Sequence, residues 1–76
     1  MLAINMEKTA AKLKARRQEL GYSVSYASGV LRLATSYAVY KWEYGINLPS
    51  IDNLINLAVL YQCQPMDLIV TDKVDI

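Results

Sequence analysis

The sequence predicts an all-α fold: a compact domain of five short helices with termini that are extended or frayed. Three observations predict it. Apolar residues recur at helical spacing through most of the chain, glycines stand where helices should stop, and serine, threonine or proline stands where the next should begin.

In the first helix Met6, Ala10, Leu13 and Leu20 share one stripe, Lys12, Lys14, Arg16 and Glu19 occupy much of the remaining surface, and Gly21 ends it. Ser23 caps a second helix whose inward side is Ala27, Val30 and Leu31, with Leu33 closing the turn behind it and Gly29 weakening it by ~1 kcal/mol relative to alanine. Thr35 or Ser36 caps a third helix running to about Tyr44. Val39 and Trp42 point to one side of it, and Tyr37, Tyr40, Lys41 and Tyr44 to the other; Gly45 stops it. Pro49 and Ser50 introduce a fourth helix, with Asp52 suited to its N-terminal dipole and Ile51, Leu54, Leu57, Ala58 and Tyr61 as its apolar face. Pro65 opens a fifth, with Met66 and Ile69 inward. Met1–Asn5 and Val70–Ile76 carry no helix signal.

The 76 residues, 54% of them apolar, suffice for one domain with a core of about 6–70 and short tails. The net charge of +1 conceals a gradient: residues 1–22 sum to +3, residues 23–46 to +1 and residues 47–76 to −3. A basic first half points to a polyanion on one side, although a solvated helix face would look the same. With no histidine and one cysteine, Cys63, the chain offers no intrachain disulfide, no paired nucleophile and base, and no metal site beyond carboxylates. Asp67, Asp72 and Asp75 lack calcium-loop spacing and fit helix-cap and tail roles. We therefore expect no enzyme, cofactor or metal. No apolar run is long enough for a membrane span or a secretion signal, so the expected location is cytoplasmic.

Arg17 is the anomaly. It lies on the stripe of Ala10, Leu13 and Leu20, where burying an unpaired guanidinium would cost several kcal/mol. Either Glu43, on the core-facing edge of the third helix, pairs with it, or its stem lies buried while its head reaches water.

The segment from Leu13 to Ile69 resembles the Cro/CI-repressor (XRE) family of helix-turn-helix DNA-binding domains. The likeness is carried by Arg17 four before Gly21, then Ser23, VYKWEYG at Val39–Gly45, LPSIDNL at Leu48–Leu54 and PMDLIV at Pro65–Val70. It implies a lambda-repressor-like fold, a buried Arg17–Glu43 pair, and double-stranded DNA as partner, with the third helix reading the major groove. By the same likeness Ser36, Tyr37, Tyr40 and Lys41 face bases, and Ser23, Tyr44 and Asn47 meet phosphates. It implies a transcription regulator associated with the bacterial nucleoid. A homodimer is expected, through extended termini forming a sheet or through the fourth and fifth helices; with no second domain, no small-molecule ligand is. The chain departs from the family in a turn one residue longer between helices two and three. Arg32 stands where a turn glycine is usual, and Ser36, Tyr37 and Ala38 stand where glutamine or arginine commonly read bases. A second function class is a protein-interaction module on the same fold, antitoxin-like or regulatory, since exposed tyrosines suit protein contacts too.

Overall fold

The computed structural model describes residues 1–75; Ile76, the end of the expected C-terminal tail, lies outside the described residues. The element order is β1 (Leu2–Ile4), α1 (Met6–Glu19), α2 (Val24–Val30), α3 (Tyr37–Glu43), α4 (Ile51–Leu60), a 3-10 turn (Pro65–Leu68) and β2 (Thr71–Lys73). The chain thus has four α-helices and a small sheet among the described residues, not five helices.

Pro65–Leu68 is too short for an α-helix because the β-branched Ile69, Val70 and Thr71 follow at once, and Ile69 already has extended dihedrals. A 3-10 turn repeats every three residues, so Pro65 and Leu68 share a side. Leu68 is therefore the buried residue, and Met66, expected inward, faces solvent. The extended termini pair with each other: β1 and β2 are antiparallel, with Leu2 opposite Lys73 and Ile4 opposite Thr71. Asn5 N–H donates to the Val70 carbonyl at 2.8 Å, and the fully buried Thr9 hydroxyl accepts from Val70 N–H at 2.9 Å, fixing the ribbon to α1. Pairing within the chain removes the simplest form of a dimer made by free terminal segments.

Serine begins two helices: Ser23 Oγ accepts from Tyr26 N–H and Ser50 Oγ from Asn53 N–H, each satisfying an orphan donor. At α3 the neighbour of the capping residue supplies that bond, Thr35 Oγ1 accepting from Tyr37 N–H, while Ser36 makes no capping hydrogen bond. All four helices end in the same two-bond Schellman arrangement, whose next residue needs a positive φ. Gly21 and Gly45 take it at no steric cost; Arg32 (φ 55°) and Gln62 (φ 58°) take it against their side chains.

The core is drawn from every helix: Leu13, Val24, Val39, Trp42, Leu57, Ala58, Tyr61 and Leu68. Two expectations fail at its edge. The buried side of α2 runs through Val24, Ala27 and Ser28, and Val30 sits about a third of a turn off its centre, exposed. On α4 Leu57, Ala58 and Tyr61 face inward, whereas Ile51, the first helical residue, is 75% exposed. Burial pushes the Tyr61 phenol up to about 12, with the Glu43 charge adding and Arg17 opposing. Among the described residues no helix is long and apolar enough to cross a membrane.

Candidate nucleic-acid interface

The site is built on α3, and α3 is held from behind. Val39 and Trp42 are buried against the core. One turn from Val39, Glu43 receives Arg17 in a bidentate pair, Nε to Oε2 at 2.7 Å and Nη2 to Oε1 at 2.8 Å. Arg17 Nη1 also donates to the Tyr22 carbonyl at 2.9 Å, so one guanidinium joins α1, the approach to α2 and the end of α3. Those bonds to Glu43 raise the guanidinium's already high pKa against the opposing effect of burial. At the far end of α3, Gly45 lies against the start of α1. A Cβ there would sit 3.6 Å from Ala10 Cβ and from the Met6 carbonyl oxygen. Packing, a fork of charged hydrogen bonds and a close backbone approach leave α3 little freedom to rotate.

The opposite face of α3 is open. Tyr37, Tyr40 and Tyr44 are exposed and Lys41 is half-exposed. The four organise in pairs at i, i+4 spacing: Lys41 Nζ lies 4.7 Å from the Tyr37 ring centroid, and Tyr40 and Tyr44 stack at 6.4 Å. Ser36 stands at the N-terminus of this face and Asn47 is exposed just after the helix. Ser23 sits at the start of α2; its Oγ lone pair is engaged by Tyr26 N–H, and its O–H remains a donor.

Between α1, the start of α2 and α3 runs a cleft of about 430 Å³, lined by Lys14, Ser23, Ser25, Tyr40 and Tyr44 and floored by the Arg17–Glu43 pair. The floor is electrically balanced, which leaves Lys14 as the uncompensated charge of the lining. Helical spacing by itself places Lys14 only on the solvent side of α1; its meeting with Ser23 and Tyr44 depends on how α1 crosses α3. On the other side of α1 Arg16 donates to the Tyr61 carbonyl at the end of α4, a structural role. Two carboxylates are likewise explained: Asp67 accepts from Gln64 N–H and Asp72 from the Asn5 amide. Cys63 is half-buried and its thiol is pushed up, mainly by burial. Among the described residues no group of three or more His, Cys, Asp or Glu side chains is placed to hold a metal ion.

An α2–turn–α3 unit locked onto α1, with one face of α3 turned outward, gives this chain the helix-turn-helix fold of the Cro/CI-repressor type. Two solved structures are similar to it over most of both chains. One is the P22 c2 repressor protein, crystallised with synthetic operator 9T in the presence of Tl+. It matches with a TM-score of 0.74 and 25% identity, covering 79% of this chain and 89% of that one. The other is the restriction-modification controller protein C.AhdI from Aeromonas hydrophila, with a TM-score of 0.75 and 24% identity, covering 83% of this chain and 94% of that one. No protein-family model and no curated protein matches the sequence.

Proposed function

We propose that the chain is a sequence-specific transcription regulator that binds double-stranded DNA by laying α3 in the major groove, and that it acts as a homodimer on a two-fold site. The observation that carries this reading is the contrast between the two sides of α3: one immobilised by Val39, Trp42 and the Arg17–Glu43 fork, the other presenting Tyr37, Tyr40 and Lys41. A helix that reads bases must be held rigidly from behind and be bare in front. The likeness to a repressor crystallised on its operator supports it.

In this reading Ser36, Tyr37, Tyr40 and Lys41 face base edges. Lys41 donates to guanine acceptors, and the tyrosines offer a phenol and an apolar ring for thymine methyls. Ser23, Tyr44 and Asn47 hold the backbone, and Lys14, beside Ser23 in the cleft, supplies the charge for a phosphate there. Sites that depend on so few cations neutralise few phosphates, so binding has a shallow salt dependence. The regulator acts at the bacterial nucleoid.

The experiment is selection of bound duplexes from a random pool, followed by gel-shift titration of the recovered sequences. One observation favours a second reading, a protein-interaction module: three tyrosines are exposed on α3 and its one cation is folded over a ring. A selection that returns no preferred sequence, even at low salt, would establish that second reading over the first.

A further inference from the structure

Lys41 and Tyr37 form one unit on the outward face of α3. The ammonium lies 4.7 Å from the centroid of a ring that is itself 64% exposed, one helical turn away. No other charge shares that face: Glu43, the only carboxylate of α3, has both oxygens engaged by Arg17. From Ser36 to Tyr44 the chain carries no asparagine, glutamine or arginine. The helix thus lacks the carboxamides that pair bidentately with adenine and a free carboxylate to accept from the cytosine amino group. It offers instead one strong donor, the aromatic face beside that donor, and hydroxyls that donate or accept as the partner requires.

We propose that this unit reads one dinucleotide step, a pyrimidine bearing a 5-methyl group followed by guanine, and that it reads the methyl group rather than the base that carries it. The inference deepens the regulator reading and rests on it. Guanine offers two acceptors, N7 and O6, to an ammonium in the major groove, and a 5-methyl group is the one apolar feature that a base presents there. Residues one turn apart have Cβ atoms ~5–6 Å apart, and successive bases are ~3.4 Å apart along a strand, so Lys41 and Tyr37 reach adjacent bases. In a right-handed duplex the methyl group of a pyrimidine projects beside the N7 and O6 edge of the guanine that follows it. Lys41 turns from the ring to reach those acceptors, and the electron-rich ring face it uncovers takes the methyl group. Thymine and 5-methylcytosine present the same methyl group in the same place. They differ in the polarity of the exocyclic group at position 4, and the hydroxyls of Ser36 and Tyr40 meet either polarity. A CG step therefore joins the recognised sequences when its cytosine is methylated, so that the methylation state of the DNA governs binding.

Isotherms of the full chain on duplexes that differ at this one pyrimidine test the proposal. Selection from a random pool is expected to return sites with a TG step in each half. Uracil in place of that thymine removes only the methyl group. It is expected to weaken binding about four-fold per half-site, the worth of one buried methyl, and about fifteen-fold when both halves are changed. A 5-methylcytosine paired with guanine is expected to bind within about two-fold of thymine, and unmethylated cytosine about four-fold more weakly. Tyr37→Phe keeps the ring and is expected to keep this discrimination; Tyr37→Ala is expected to lose it, with an unchanged helical circular-dichroism spectrum. Equal affinity for the thymine and uracil duplexes, or a discrimination that survives Tyr37→Ala, would overturn the proposal and leave a sequence-specific regulator in place. A pool that returns no preferred sequence would remove the regulator reading and this inference with it.

Discussion

Arg17 and Glu43 meet through two parallel hydrogen bonds, 2.7 and 2.8 Å long, and their side chains are only 10% and 6% exposed. Two charges so far out of water are each tolerated only because of the other. Removing one leaves its partner stranded. Arg17→Ala or Glu43→Ala alone is expected to cost roughly 3–5 kcal/mol in urea melts. Arg17→Met together with Glu43→Leu is expected to cost much less, with about 1 kcal/mol remaining from the Tyr22 carbonyl that Arg17 also serves. Single variants within a few tenths of wild type would show that the pair fixes nothing.

The two strained helix ends give a prediction of opposite sign. Arg32 and Gln62 hold the left-handed conformation that Gly21 and Gly45 hold freely at the equivalent positions of α1 and α3. Gln62→Gly is expected to stabilise the fold by about 0.5–1 kcal/mol, the relief of strain exceeding the entropy glycine loses on folding. A fall in the urea midpoint for Gln62→Gly would contradict it.

Tyr61 sets an alkaline limit. Below pH 10 the phenol keeps its proton folded or unfolded, and stability is fully present. As pH rises further the unfolded chain releases this proton near its ordinary value of 10.0, while the folded chain holds it to about 12. Stability should therefore fall between these values, by at most ~1.4 kcal/mol per pH unit from this residue. Urea melts through that range should show the decline in wild type and a smaller one in Tyr61→Phe. Equal slopes would contradict the assignment to Tyr61.

What the sequence discloses here follows the range of the interactions. Helix-period stripes, the serine caps and the Gly21 and Gly45 stops depend on neighbouring residues, and the elements they mark are present. Gln62 ends α4 without any side-chain feature that signals a positive φ. The terminal residues lack helix signals, yet their pairing depends on Asn5 and Thr9 meeting Val70 across more than sixty residues. Ile51 shows the ambiguity of a helix apolar on two sides, since spacing alone does not say which side meets the core. At the candidate interface the outward tyrosines follow from the period of α3, whereas Lys14 joins Ser23 and Tyr44 only through the crossing of α1 and α3.

Lys41 and Ser23 are expected to fail differently. Lys41→Ala should cost about 1–3 kcal/mol on the preferred duplex and relax preference at one base pair. Lys41 must leave the Tyr37 ring to reach a base, so Tyr37→Ala should alter preference at that same base pair. Ser23→Ala should weaken binding to all duplexes alike, because a phosphate contact positions without reading. Binding isotherms of the variants on preferred and single-substituted duplexes separate the two patterns. A uniform loss for Lys41→Ala would place Lys41 on the backbone.

The most direct test of the account is a set of isotherms of the wild-type chain on a selected and a scrambled duplex at several salt concentrations. Tighter binding to the selected sequence at every salt, with a shallow slope of log affinity against log salt, is the predicted result. Equal affinity for both duplexes at low salt, or no binding to either, would contradict it.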